Sequence, residues 1–274
     1  MAAAQEGAFQ GIVTDPLGER TCKPRRDGLT MVIDKGMGVQ QTEGLLELAA
    51  PYIDYWKLPF GTSSVYPTRV LRRKIGVIRA AGVSTYPGGT FLEIAHMQGQ
   101  LEPFVDRVVD LGFDAIEVSD GTIDLTPAER REAIRIARSR GLAVLTEVGR
   151  KDPTERLSAF QIHRTMLEDI AAGAEHIIVE GRESGKGVGI YDAQGEIAED
   201  ELLKMVRAAG DIHRLIWEAP LKSQQQELIR RFGSNVSLGN VPPEEILALE
   251  ALRRGLRADT LRYVLPGWAE GGGI

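Results

Sequence analysis

Cysteine is almost missing from this chain. Cys22 stands alone, so no internal disulfide can form, and a reducing compartment fits best. Histidine is scarce too: His96, His163, His176 and His213 lie scattered, without the spacing of a zinc site. No run approaches the roughly 20 uninterrupted apolar residues of a membrane span. The opening MAAAQEGAFQ lacks the basic start and apolar core of a secretory signal. A cytoplasmic protein with no membrane partner is the expectation. Positive charge is in deficit, with a formal net charge of −6, which argues against nucleic acid as a partner because phosphate neutralisation needs a basic face. A dinucleotide fingerprint is lacking as well, since Gly36-Met-Gly38 is not followed by a third glycine at the required spacing.

What is present is a repeating unit. Short apolar runs alternate with longer helical patterns: Leu29–Gly36, Tyr52–Pro59, Val83–Pro87, Ala115–Asp120, Leu142–Gly149, His176–Glu180, Leu215–Glu218 and Val236–Asn240. β-Branched content with little alternation suits strands covered on both faces. The clearest helix follows Thr126 as N-cap and Pro127 at the first position, with Ala133, Ile134, Ile136 and Ala137 on one face and arginines on the other. Gly141 suits its stop, and Gly82, Gly112, Gly173, Gly210, Gly233 and Gly255 punctuate other helices. Eight strand-then-helix units in 274 residues predict an α/β fold, a single-domain (β/α)8 TIM barrel, over an open doubly wound sheet. The expected boundaries are an irregular lead-in over 1–27, the barrel over 28–258 and a tail over 259–274. The lead-in is expected to wrap the barrel's outside or bottom.

Strand-ending residues of such a barrel face its mouth, where binding and chemistry occur. Here those ends carry Asp34, Lys35, Lys57, Glu117, Asp120, Glu147, Glu180, Glu218 and Asn240. Carboxylates converging on one mouth repel each other. A divalent cation removes that cost, and oxygen-only ligands favour Mg2+ over zinc, so Glu117, Glu147, Glu180 and Glu218 are candidate metal ligands. Cations share the rim: Lys35, Lys57 and Lys151, with Arg182 and Lys186 in the glycine-rich loop 180–189. Glycine for close approach and cations for charge describe an anion-binding loop. Gly88 and Gly89 offer backbone contacts to an anion in the same way.

Taken together, these strand-end motifs resemble the phosphosulfolactate synthase family. The resemblance is carried by Lys23-Pro-Arg25, Gly28-Leu-Thr-Met-Val-Ile-Asp-Lys-Gly36, Tyr86-Pro-Gly-Gly-Thr90, Glu117-Val-Ser-Asp-Gly-Thr-Ile123, Glu147-Val-Gly-Arg-Lys151, Arg182-Glu-Ser-Gly185, Trp217-Glu-Ala-Pro-Leu-Lys-Ser223 and Leu238-Gly-Asn240. It spans residues 23 to 256. It implies a (β/α)8 lyase that adds sulfite to phosphoenolpyruvate with magnesium, giving (2R)-phospho-3-sulfolactate, a precursor of coenzyme M in methanogens. The family also includes plant heat-stress-associated proteins, whose first-strand motif differs from Ile33-Asp-Lys-Gly36. Where synthases commonly show two lysines after Glu-Val-Gly, this chain has Arg150 and then Lys151.

On that resemblance the candidate roles are as follows. Lys151 is the candidate general acid, because an arginine's pKa is too high for proton transfer. Lys35 is the reserve, and Asp34 completes the catalytic group. Lys57, Arg182, Lys186, Gly88, Gly89 and Asn240 are expected to bind the small anionic substrates phosphoenolpyruvate and sulfite. Two other readings stay open at this point: a barrel lyase or aldolase acting on another phosphorylated enol or keto acid, and a non-catalytic protein of the heat-stress-associated type. Assembly into a homo-oligomer also stays open, because no apolar stripe stands out on the outer helices.

Overall fold

Each apolar run becomes a short strand followed by helix. The computed structural model describes residues 7–150 and 157–265. In chain order the elements are β1 (Thr30–Ile33), α1 (Val39–Ala49), β2 (Tyr55–Leu58), α2 (Thr68–Ala80), β3 (Ser84–Pro87), α3 (Gly89–Met97), α4 (Leu101–Leu111), β4 (Ala115–Val118) and α5 (Pro127–Ser139). They continue as β5 (Ala143–Val148), α6 (Ala159–Ala172), β6 (His176–Val179), α7 (Glu199–Ala209), β7 (Leu215–Glu218), α8 (Lys222–Phe232), β8 (Leu238–Val241), α9 (Ile246–Arg253) and α10 (Ala258–Leu261).

Among the described residues the strands form one parallel sheet of eight, in the order β3-β2-β1-β8-β7-β6-β5-β4. The two end strands meet through Asp114, whose amide donates to the Thr85 carbonyl at 3.4 Å and whose Oδ1 accepts from the Thr85 amide at 2.8 Å. The result is a nearly closed (β/α)8 barrel.

Local sequence explains the element ends. Thr126 caps α5 by accepting from the Glu129 amide, while Glu129 reaches back to the Thr126 amide. Ser158 and Gln161 repeat that device on α6. Gly112 and Gly173 close α4 and α6 in the left-handed conformation that glycine adopts without a Cβ clash. Strand ends fall earlier than the apolar runs suggest. β1 stops at Ile33 rather than Gly36, because Asp34 Oδ1 accepts from the amides of Gly36 and Met37 at 2.8 and 2.7 Å and turns the chain. The unit between β3 and β4 holds two helices, broken at Gly99 (φ 68°).

Two apolar layers result. Outside the strands, Val32, Trp56, Ile116, Val144, Ile177 and Trp217 pack against the helices. Inside the barrel, Met31, Tyr55, Tyr86, Ala115, Leu145, Ile178 and Ile216 form a separate packed layer. The lead-in lies across the strand starts. Arg20 pairs with Glu250 and donates to Asn235, Arg25 pairs with Asp54 at the start of β2, and Lys23 donates to the carbonyls of Ala50 and Gly82 at 2.9 and 3.0 Å.

Candidate active site

Strand periodicity builds the site directly. Side chains two residues apart on a strand share a face. Lys57 therefore stands one layer above Tyr55, and Glu117 stands likewise above Ala115. Glu147, Glu180 and Glu218 follow Leu145, Ile178 and Ile216 in the same way. Four carboxyl groups and one ammonium thus replace the apolar layer at the carboxyl end of the barrel. All are buried: Lys57 is 6% exposed and each glutamate 2% or less.

Lys57 lies at the centre of the group. Its Nζ is 2.9 Å from Glu117 Oε2, 3.2 Å from Glu218 Oε1 and 3.9 Å from Glu147 Oε2. Burial works against its charge, yet Glu117 and Glu218 outweigh that and hold its pKa well above the usual lysine range. Glu117 is pushed above the ordinary glutamate range, chiefly by burial and partly by Glu147, with Lys57 pulling back. Tyr86, also fully buried, is raised by burial and by Glu117, so it stays protonated. Its hydroxyl donates to the Met31 sulfur.

Backbone amides fix the other carboxylate oxygens. The Gly89 amide donates to Glu117 Oε1 at 2.8 Å, the Gly181 amide to Glu218 Oε2 at 2.9 Å and the Arg182 amide to Glu180 Oε1 at 2.7 Å. Glycine is required where these contacts are closest. A Cβ on Gly89 would stand 2.4 Å from Ser119 Oγ and 2.7 Å from Glu117 Oε1. Carboxylate oxygens of Glu147, Glu180 and Glu218 all lie within 4.8 Å of one another. Three hard oxygen donors at this spacing fit a divalent cation of the magnesium or calcium kind, and among the described residues no nitrogen or sulfur ligand dilutes that preference.

Above the carboxylates runs the loop after β6. Gln224, 1% exposed, donates through Nε2 to the carbonyls of Gly185 and Gly195 at 2.7 and 2.9 Å. Tyr191 donates to the Glu218 carbonyl at 2.8 Å. Arg182 and Lys186 stay exposed on this anchored loop. Arg182 takes a left-handed φ of 58°, and its carbonyl accepts from Asn240 Nδ2 at 3.2 Å. Asn240 is itself buried and left-handed, and its Oδ1 meets no hydrogen-bond donor among the described residues.

The sequence-based assignments separate here. Glu117, Glu147, Glu180 and Glu218 do converge. Lys57, expected to screen substrate, instead has its ammonium enclosed by carboxylates. The Gly89 amide, expected to meet an anion, is bound to Glu117, and the Gly88 amide donates to the Leu58 carbonyl at 3.0 Å. Asp34 lies on the helix side of the barrel, away from this group. It pairs with fully buried Lys74 of α2 and accepts from Trp56 Nε1 at 2.9 Å, besides its two amides. Lys35 is exposed beside it, and Lys151 lies outside the described residues.

Sequence reading missed two anchors. Lys74 sits in an arginine-rich helix and looks solvated. Gln224 has its helical phase as its only cue: it falls four residues before Leu228.

The profile of the (2R)-phospho-3-sulfolactate synthase (ComA) family matches residues 18–259. A phosphosulfolactate synthase of Methanothermobacter thermautotrophicus is 43% identical over 247 residues, covering 89% of this chain and 95% of that protein. HEAT-STRESS-ASSOCIATED 32 of Arabidopsis thaliana is 23% identical over 261 residues, covering 86% and 88%. Among solved structures, the YdjI aldolase of Escherichia coli K12 superposes with a TM-score of 0.53 at 12% identity, covering 87% of this chain and 89% of that one. That last likeness is one of fold.

Proposed function

The chain belongs to the (2R)-phospho-3-sulfolactate synthase family, and we propose on that footing that it adds sulfite to phosphoenolpyruvate at the buried carboxylate group. The observation that carries this reading is the convergence of Glu147, Glu180 and Glu218 beneath an anchored loop bearing Arg182 and Lys186. Identity of 43% to a synthase against 23% to the heat-stress protein favours the catalytic branch. Both substrates are anions, so the reaction needs charge screening, a sink for developing charge and a proton.

In the reaction the sulfite sulfur lone pair forms the C–S bond at C3 of phosphoenolpyruvate. The C2–C3 π electrons move toward the substrate carboxylate, and a proton then joins C2, giving (2R)-phospho-3-sulfolactate. Arg182 and Lys186 screen the phosphate and the incoming sulfite. Lys151 delivers the proton to C2, with Lys35 the reserve donor. Lys57 neutralises Glu117 and Glu218 and keeps those side chains in place. Asp34, through the Gly36 and Met37 amides, shapes the turn that carries Lys35. Magnesium, held by Glu147, Glu180 and Glu218, would supply electrophilic stabilisation of the enolate-like carboxylate. Small anions are the substrates, and the cytoplasm is the site of action.

The test is incubation with phosphoenolpyruvate, sulfite and magnesium, followed by mass detection of the adduct. Adduct formation that stops in excess EDTA and in Lys151→Ala is the expected result. Turnover of phosphoenolpyruvate without sulfite would point to a different barrel lyase, and full activity in EDTA would remove the metal from the scheme.

A further inference from the structure

Arg130 belongs by sequence to the arginine face of α5, yet it is 4% exposed. Helical phase explains the burial: it precedes Ala133, Ile134 and Ala137 by three, four and seven residues, on their face of the helix. Its guanidinium is bound on every side. Nε and Nη2 form a bidentate pair with Asp169 of α6 at 2.8 and 2.7 Å, and Nη1 donates to Asp120 Oδ1 at 3.0 Å. Nη2 also donates to the Glu147 carbonyl at 2.9 Å.

That last bond fills a gap in the sheet. β4 ends at Val118, opposite Thr146, one residue short of Glu147. The Glu147 carbonyl is met by the guanidinium where a strand partner has run out. Asp120, two residues past β4, is gripped from both ends: its carboxylate binds Arg130 and its carbonyl accepts from Arg150 Nη1 at 2.6 Å. A single buried cation therefore ties together the exits of the two strands that carry Glu117 and Glu147.

We propose that Arg130, fixed by Asp169, is a positioning residue for the reaction: it sets the exits of β4 and β5, and with them the Glu147 carboxylate and the backbone of Gly149 and Arg150. This rests on the proposed function for its catalytic consequence, though not for its geometry. Arg130→Met alone would strand the Asp169 charge and threaten the fold. The informative protein is Arg130→Met combined with Asp169→Leu, since replacing both members of a buried pair by apolar groups of similar size is often neutral for stability.

The double variant, which still takes Arg130 from the Asp120 carboxylate and the Glu147 carbonyl, is expected to stay folded and to melt about 2–12 °C below the wild type. Its kcat for sulfite-dependent phosphoenolpyruvate consumption should fall about 10- to 100-fold, and its Mn2+ affinity, measured calorimetrically without substrate, should fall about 10-fold or more. KM for phosphoenolpyruvate should stay within about twofold, because Arg182 and Lys186 are untouched. Amide exchange over 118–120 and 147–150 should quicken while the α5 and α6 interiors keep their protection. Wild-type kcat, Mn2+ affinity and exchange in the folded double variant would overturn the proposal and leave Arg130 a mere helix tie. Should the wild type itself show no sulfite-dependent turnover, the reaction reading fails, and the exchange and Mn2+ measurements still decide whether Arg130 positions Glu147.

Discussion

Replacing Lys57 by methionine isolates the electrostatics of the site, because the methionine keeps most of the stem and deletes the charge. Lys57 Nζ lies 2.9 Å from Glu117 and 3.2 Å from Glu218, and all three side chains are at least nine-tenths buried. Each of those glutamates meets a backbone amide with one oxygen and the ammonium with the other. Removing one partner of a buried ion pair costs about 3–5 kcal/mol, most of it the desolvated charge left behind. At about 2–4 °C per kcal/mol for a chain of this size, Lys57→Met should melt roughly 6–20 °C below the wild type at pH 7.5 in EDTA.

The deficit must depend on pH with a definite sign. Burial already holds the folded-state pKa of Glu117 above its unfolded value. The folded state therefore takes up a proton more readily as pH falls, and the variant recovers stability because a protonated glutamate needs no counter-ion. Differential scanning fluorimetry from pH 7.5 down to 5 should show the gap narrowing. Adding Glu218→Gln should restore part of the loss, and a divalent cation at a hundredfold over its Kd should return about 2.7 kcal/mol. A variant as stable as the wild type at pH 7.5, or a gap that widens toward pH 5, would refute the assignment of Lys57 as the counter-ion of the group.

Three further outcomes are expected. Gly89→Ala forces a methyl against Ser119 and Glu117 and should cost about 1–3 kcal/mol together with turnover; an unchanged melt and rate would show that the helix start can yield. Glu180→Gln should leave the fold intact and weaken Mn2+ binding in calorimetry, and equal affinity would remove Glu180 from the ligand set. Lys23, whose pKa burial lowers from 10.5 to about 8, binds fewer protons folded than unfolded between those values. Wild-type stability should therefore rise relative to Lys23→Met as pH climbs through that window, and a constant difference from pH 7 to 10 would contradict it.

The barrel was legible because its signal is spread over eight units, each an apolar run followed by an amphipathic helix. The acidic group was legible for a simpler reason: a glutamate placed two residues after an inward apolar side chain must face inward too. What escaped were partnerships across distance. Lys74, Arg130 and Gln224 read as solvated helix surface because their carboxylate and carbonyl partners lie on other elements, Asp169 being 39 residues from Arg130. Asp34 and Lys57 show the same limit of reach. Both were recognised as strand-end charges, but Asp34 falls on the opposite parity, facing α2, and the position of Lys57 inside the ring could be read while its enclosure by three glutamates could not.

The segment across the barrel base has a practical corollary for anyone trimming this protein. A version cut to 28–258 would keep every strand of the ring and still lose Arg20 and Arg25, the buried mates of Glu250 and Asp54. Both sequestered acids would lose their arginine counter-ions, Glu250 on the last unit of the barrel and Asp54 at the entry to β2. A version that begins at or before Arg20 is therefore expected to be the more stable of the two.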